Sequence, residues 1–346
     1  MLDPNDILRA WTWNQTPRLS PADSGLINKS WIISDTTGEI GVLQWLNTGV
    51  FSPRVHEDIE AVTQHLASKG QPTPRLLRTA SGELFHTDAE QQVWRCLSWI
   101  GDRTVHKLQI TSEAFSAGAA VARFHAGLQD LHWDFRSVRG RFHDTAAHMD
   151  RLRQALAAHP THRLHAPTSQ LANSILAAFA ALAPPVPLPT RIVHGDLKIS
   201  NIRFQGDQAL AIIDLDTLAH GTLDAELGDA FRSWCNPASE DEPNPTFSLP
   251  MLEAGFAGYL AGAETVDFPL TPDEKSSVVG GTLRITLELA SRFAADALEE
   301  RYFGFNPKYG TRGDHNLLRA SGQFALVSSI LEQRRDAEAI VHRLTS

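Results

Sequence analysis

His194-Gly195-Asp196-Leu197-Lys198-Ile199-Ser200-Asn201 leads into Ile202-Arg203-Phe204, a turn at Gln205-Gly206-Asp207, and the run Ala211-Ile212-Ile213, which ends on Asp214. Two apolar strands joined by a tight turn bring their far ends together. Asp196 and Asn201 can therefore lie beside Asp214, although Asn201 and Asp214 are 13 positions apart. Two carboxylates and an amide oxygen converge on one spot. Oxygen-only ligands suit a hard ion such as Mg²⁺, whereas zinc would draw His or Cys. Asp and Asn near strand ends also stabilise turns, but the joint spacing of these three argues for chemistry.

The spacing His-x-Asp-Leu-x-x-x-Asn is the catalytic-loop signature of protein kinases with glycine in place of arginine, and Asp214 stands where the Asp of the metal-binding motif stands. On these residues the chain resembles the aminoglycoside phosphotransferase and choline kinase superfamily, whose members use a kinase-like fold on small molecules. Within it the chain is similar to the N-acetylhexosamine 1-kinase branch. The similar stretches include Gly25-Leu26-Ile27-Asn28, Leu43-Gln44-Trp45-Leu46-Asn47, Phe142-His143-Asp144-Thr145, Ile213-Asp214-Leu215-Asp216-Thr217, Gly228-Asp229-Ala230-Phe231-Arg232 and His315-Asn316-Leu317.

The resemblance implies an α+β, bilobal protein-kinase-like fold with a small antiparallel-sheet N-lobe (1–101) and a larger, mostly helical C-lobe (102–346). It implies an ATP- and Mg²⁺-dependent kinase in which Asp196 orients the acceptor hydroxyl and accepts its proton. Asn201 and Asp214 would hold the metal bridging the nucleotide phosphates. Lys198 would place an ammonium near the γ-phosphate or, alternatively, stand solvated in its loop. Asp216 would face metal or substrate, or cap the segment after it. Arg292 and Tyr302 resemble positions that contact sugar, with surface pairing as the rival reading. His194 would brace the loop, and Asp229 with Arg232 would form a structural brace.

Upstream, Trp31-Ile32-Ile33 and Val42-Leu43 flank the turn Asp35-Thr36-Thr37-Gly38-Glu39, which has hairpin chemistry. A helix is expected over 53–68, with Val55, Ile59, Val62 and Leu66 on one stripe and Gly70 at its end. Residues 82–86 and 92–100 read as further strands. Beyond them the pattern turns helical: Phe115, Ala119, Ala122 and Ala126 fall at helical steps, as do Leu317, Ala320, Phe324, Val327 and Leu331, and both stripes read as core.

The nucleotide lobe departs from the protein-kinase pattern. Ser24-Gly25-Leu26-Ile27-Asn28-Lys29-Ser30 carries one glycine, yet its backbone amides and the Asn28 and Ser30 side chains could still cover phosphates. Gly41-Val42-Leu43-Gln44 holds no lysine. The sugar-kinase branch also carries glutamine there, and Glu57 and Glu60, lacking a lysine partner, read as solvated. Trp99-Ile100-Gly101-Asp102 resembles the hinge that meets adenine, so Trp99 and Ile100 join the nucleotide-binding expectations alongside Gly25, Asn28, Ser30 and Gln44.

Composition bounds the rest. The chain has 346 residues, 42% hydrophobic and 21% charged, as expected of a globular protein with a large core. A net charge of −9 disfavours broad binding to nucleic acid or anionic membranes. Cys96 and Cys235 are too few for a disulfide framework and read as thiols of a reducing cytosol. Residues 1–6 lack the basic start and apolar stretch of a secretory signal, so a cytoplasmic location is expected. The acidic run Glu240-Asp241-Glu242 reads as a solvated loop. The expected partner is a small hydroxyl acceptor, most naturally a sugar or amino sugar. An amino alcohol, homoserine-like or aminoglycoside acceptor is the first alternative, and a non-catalytic nucleotide-binding protein the second.

Overall fold

The computed structural model describes residues 3–22, 27–137, 143–238 and 240–346. Its first part is an antiparallel sheet of β1 (Arg18–Pro21), β2 (Lys29–Asp35), β3 (Gly38–Leu46), β4 (Leu76–Leu77), β5 (His86–Thr87) and β6 (Val93–Ser98). The order is β1-β2-β3-β6-β4, with β5 added against β6. The expected hairpin is present: β2 pairs with β3 from Lys29–Trp45 to Asp35–Gly38. Gly38 closes its turn at φ +125°, a conformation open to glycine.

Successive strand residues face opposite sides. Ile33, Leu43, Trp94 and Cys96 pack under the short helix α1 (Pro4–Ile7) with Ile7, Leu8 and Trp11. Leu46 and Val93 face the other side, against α2 (Val55–Ser68), which buries Val55, Ile59, Val62 and Leu66 as its stripe requires. Gln44 and Arg95, cross-strand partners, share the parity of Leu46 and Val93 and so lie on the α2 side. Of the expected 82–86 strand only His86 is in β5; Gly82, at φ +88°, closes a turn in which its N–H reaches Thr79 O at 2.8 Å.

The second part is mostly helical: α3 (Thr111–Leu128), α4 (Thr145–Ala158), α5 (His165–Ala180), α6 (Leu223–Trp234), α7 (Leu249–Thr265), α8 (Pro272–Ser276), α9 (Val278–Glu299), α10 (Arg312–Glu332) and α11 (Arg334–Thr345). Helices α3 and α7 pack backbone to backbone. A Cβ on Gly118 would sit 2.0 Å from Gly255 O, and one on Gly258 would sit 2.0 Å from Phe115 O. Of the expected α3 stripe Ala122 and Ala126 are buried, Ala119 is half-buried and Phe115 is 43% exposed although its backbone touches α7; Ala114, Ala117, Val121 and Phe124 complete the buried face. Leu331 likewise points outward on α10, where Ala320, Val327 and Ile330 carry the core.

Three short strand pairings interrupt the helices. β9 (Ile202–Gln205) and β10 (Gln208–Ile212) form the expected hairpin, extended by β7 (Arg103–Thr104). β8 (Arg191–Val193) pairs with β11 (Ala219–Gly221). Cys96 and Cys235 are free and buried, and burial pushes both thiols up. Among the described residues no helix is long and apolar enough to cross a membrane.

Candidate active site

The β9–β10 hairpin does what its sequence demands. Ile202 pairs with Ile212, and Ile213 N–H donates to Asn201 O at 2.8 Å, which seats Asp214 beside Asn201. Asn201 Nδ2 donates to Asp196 O at 2.9 Å and to Asp196 Oδ2 at 3.1 Å. Lys198 Nζ reaches Asp196 Oδ2 at 2.9 Å. Asp196, Lys198, Asn201 and Asp214 thus meet in one place.

The loop is held from behind by buried polar groups. Glu226 of α6 accepts from His194 N–H at 2.7 Å, from Gly195 N–H at 2.9 Å, and from His125 Nε2 at 3.1 Å. His125 Nδ1 in turn meets the Tyr259 hydroxyl at 2.8 Å. His194 Nε2 bonds Ile213 O at 2.9 Å, tying the two halves of the motif together as a brace. Trp234 Nε1 donates to Leu197 O and the Ser233 hydroxyl accepts from Ile199 N–H. Gly195 takes φ +81° to let Glu226 reach both amides.

Electrostatics separate the two aspartates. Burial opposes ionisation of Asp196, but Lys198, by charge and hydrogen bond, outweighs it and holds the carboxyl at about 2. Burial works against the Lys198 charge too, yet Asp196 and Asp214 push its pKa up. Asp214 is exposed, at φ +63°, ψ +54°, with no hydrogen bond to its carboxyl among the described residues. The surrounding walls desolvate it and raise its pKa; Lys198 opposes that rise, and Asp216 and Asp196 add repulsion.

The donor set fits a hard cation shared with a phosphorylated ligand. Among the described residues the Asp214 carboxylate makes no hydrogen bond or ion pair within 4 Å, and the Asn201 nitrogen is engaged by Asp196, leaving its oxygen as the available group. Among the described residues no three His, Cys, Asp or Glu side chains cluster to hold a metal alone. Mg²⁺ ordinarily takes only one or two carboxylates, with water and substrate phosphate supplying the rest.

Asp216 lies elsewhere than expected. It is buried under the sheet, where Arg95 grips it in two bonds, NH1 to Oδ1 at 2.5 Å and NH2 to Oδ2 at 2.9 Å. Asn28 Nδ2 also donates to Asp216 Oδ2 at 2.7 Å, while Asn28 Oδ1 accepts from Asn47 N–H. Arg95 Nε donates to Gln44 Oε1 at 2.9 Å, and Gln44 Nε2 to the Ser30 hydroxyl at 3.0 Å. Asn28, Ser30 and Gln44 are therefore linked to one another through Arg95 and Asp216; Gly25 lies outside the described residues. His56, above this network on α2, donates Nδ1–H to Pro53 O. Burial, followed by the Arg95 charge, drives its pKa down to about 4, so it adds no cation.

At the segment resembling the hinge, Gly101 takes φ +66° and a Cβ there would meet Phe204 O at 2.7 Å. Arg203 bonds Ile100 O at 2.9 Å and Gly101 O at 3.1 Å, and lies over the Trp99 ring at 4.6 Å. The Ile100 carbonyl is thus occupied from the hairpin side. Glu60 is not solvated as expected: it pairs with Arg78 at 2.7 Å, whereas Glu57 meets Arg54 at the exposed start of α2.

In the helical part, Arg232 grips Asp229 Oδ1 with two nitrogens and Glu240 Oε1 with a third. The charges of Arg232 and Asp229 both reach Asp196. Glu288 receives His143 and the Thr145 hydroxyl. One turn on, Arg292 lies 5.8 Å from the Tyr302 ring and 5.5 Å from the Phe303 ring. The acidic run is not simply solvated, because Asp241 binds His315 and Arg319. Sequence reading missed Arg95 and Glu226. A lone arginine inside the apolar strand Val93-Trp94-Arg95-Cys96-Leu97 was the available signal, since an arginine is almost never fully buried without a partner.

A sheet backed by one long helix, a helical part, and a His194–Asn201 loop facing the Asp214 turn together define a kinase-like phosphotransferase fold. The chain belongs to the phosphotransferase enzyme family, whose model matches residues 18–265. Homoserine kinases from Rhodopseudomonas palustris strains BisB18 and BisA53 are each 26% identical to it, over 235 and 206 residues. These matches cover 64% and 57% of this chain, and the chain spans only 64% and 56% of those relatives' length. Among solved structures, an amicoumacin kinase in complex with AMP-PNP, Ca²⁺ and Ami superposes with TM-score 0.64 at 12% identity, covering 99% of this chain and 96% of that one. A choline/ethanolamine kinase family protein from Mesorhizobium loti gives 0.58 at 17% identity, with 98% and 97% covered. An aminoglycoside phosphotransferase from Alicyclobacillus acidocaldarius gives 0.57 at 15%, with 97% of both covered. At such identities these structures establish the fold.

Proposed function

We propose that the protein is a small-molecule kinase that transfers the γ-phosphoryl group of ATP to an acceptor hydroxyl. The observation that carries this reading is the convergence of Asp196, Lys198, Asn201 and Asp214 on one cleft, braced by Glu226. Residues 1–101 serve as the nucleotide lobe and 102–346 as the helical lobe, with Trp99 and Ile100 beside the base. Asp214 and the Asn201 oxygen would hold Mg²⁺, which when bound neutralises charge on the phosphates. Asp196, ionised at neutral pH, orients the acceptor hydroxyl and receives its proton, and Lys198 sets a cation beside the transferred group. No residue needs to form a covalent intermediate, because an oriented hydroxyl suffices for in-line transfer.

For the acceptor, a neutral sugar or amino sugar is the reading supported by the charge pattern. Asp229, Asp241 and Glu288 each have an arginine or histidine partner, whereas Arg292 has aromatic neighbours and makes no ion pair within 4 Å among the described residues, its charge reaching Glu288 from further off. The arginine is what favours a sugar, since its guanidinium donates to hydroxyls and repels an ammonium, whereas aromatic faces accommodate either. An amino-alcohol or homoserine-like acceptor is the second reading, supported by the similarity to the two homoserine kinases. A coupled ATP-consumption screen over hexoses, N-acetylhexosamines, homoserine, choline-like amines and aminoglycosides decides between them. Turnover confined to amines would overturn the sugar reading, and no turnover with any acceptor would overturn the kinase reading.

A further inference from the structure

The Arg95–Asp216 pair joins two regions that the phosphotransfer chemistry does not by itself require to be joined. Arg95 lies on β6, inside the sheet, and Asp216 is 121 positions away in the Leu215–Thr217 turn that follows Asp214. Both side chains are 1% exposed. A guanidinium and a carboxylate buried this deeply persist only when each satisfies the other, because an unpaired buried charge is strongly unfavourable. Both Asp216 oxygens are engaged, one of them also by Asn28, and Gln44 takes Arg95 Nε. Both Asp216 oxygens are therefore turned to Arg95 and Asn28 in a buried setting. Asp214, two residues earlier, has the opposite environment: an open carboxyl on a left-handed backbone.

Resting on the kinase reading above, we propose that Arg95 and Asp216 form a positioning latch between the sheet and the metal loop. Asp216 anchors the Leu215–Thr217 turn to the sheet, and that anchor aims the Asp214 carboxylate at the cleft. The same pair explains how the sheet does without a lysine on β3. Gln44 occupies that strand and bonds the arginine beside it on β6, whose carboxylate partner comes from the metal loop and not from α2, where His56 is held neutral. The planar fork fixes Asp216 in both direction and rotation, which a lysine's point charge would not do.

Two variants test the latch. Arg95→Lys keeps the charge and loses the fork. Arg95→Met combined with Asp216→Leu removes both charges at similar volume, which spares the fold the lone buried charge that either single change creates. Hydrogen exchange is measured on ligand-free protein across residues 213–218, with α9 as internal reference. Thermal stabilisation is then titrated with Mg²⁺ at fixed ATP, and with ATP in chelator.

In both variants exchange at 213–218 accelerates by at least about ten-fold while α9 is unchanged. The Mg²⁺ concentration for half-maximal stabilisation rises by about ten-fold or more, with the metal-free ATP response unaltered. A merely structural pair moves neither readout once the fold is retained, so unchanged exchange or unchanged Mg²⁺ demand in the folded Arg95→Lys variant overturns the latch. A wild-type protein that ATP and Mg²⁺ fail to stabilise overturns the kinase reading instead, together with the metal half of this proposal. The exchange arm, run without ligand, still decides whether Asp216 anchors the turn.

Discussion

Removing the Glu226 carboxylate should cost the protein much of its stability, because this one side chain, 1% exposed, satisfies three donors. In Glu226→Ala the His194 and Gly195 amides and His125 Nε2 lose their acceptor. Each buried orphan costs about 1–3 kcal/mol, and relaxation around the loop keeps the total below the simple sum, so a loss of about 3–5 kcal/mol is expected. Glu226→Gln retains one oxygen but turns an NH₂ against a backbone N–H, for a loss of about 1–3 kcal/mol. Denaturant unfolding at neutral pH measures both, provided the slope with denaturant is unchanged. The comparison with pH sharpens the test. Burial would raise the Glu226 pKa, but the His125 bond, the His125 and His194 charges and the His194 amide together hold it below the ordinary value. A carboxyl lowered on folding contributes stability that is complete above its unfolded pKa and is lost as pH falls through its folded pKa. The gap between wild type and Glu226→Gln is thus widest near neutrality and narrows in acid. A Glu226→Ala protein within about 0.5 kcal/mol of wild type would refute the reasoning, since that is the scale of an inconsequential surface change.

Three further outcomes rest on the same geometry. Asp196→Asn should lower turnover by roughly 10²–10⁴-fold while leaving thermal stabilisation by Mg²⁺ and ATP largely intact, because the side chain acts chiefly on the acceptor and the Asn201 bond to the Asp196 backbone oxygen remains. Asp214→Ala should abolish the Mg²⁺-dependent part of that stabilisation, and its survival at full size would remove Asp214 from the metal site. Gly118→Val should push α3 from α7, where even a Cβ falls 2.0 Å from Gly255 O, and lower stability by about 1–3 kcal/mol or more in chemical unfolding.

The legible part of the sequence was local. The Thr36-Thr37-Gly38 turn, the stripe of α2 and the β9–β10 hairpin each arise from chemistry within a few residues, and the hairpin alone carries Asn201 to Asp214. The hidden part depends on partners far apart in the chain. Glu226 lies 32 positions from His194 and Asp216 lies 121 from Arg95, and no periodicity marks either pair. The α3 stripe was legible in part: Ala122 and Ala126 are buried as its spacing requires, but Phe115 is exposed, because the close approach of α3 to Gly255 and Gly258 of α7 depends on residues far apart in the chain. Asp216 illustrates the limit most clearly. Strand parity placed it on the side of Asp214, but the left-handed turn at Asp214 and the short 3₁₀ helix over Leu215–Thr217 break that parity and send the side chain into the sheet.

The central claim is direct phosphoryl transfer assisted by Asp196. It is tested most directly by following label from [γ-³²P]ATP into a panel of sugar and amine acceptors, with wild type and Asp196→Asn side by side. The account predicts a labelled acceptor and matching ADP from wild type, and near-complete loss of both in a variant that still binds Mg²⁺ and ATP. Equal transfer by the two proteins, or nucleotide binding by wild type with no acceptor labelled, would contradict it.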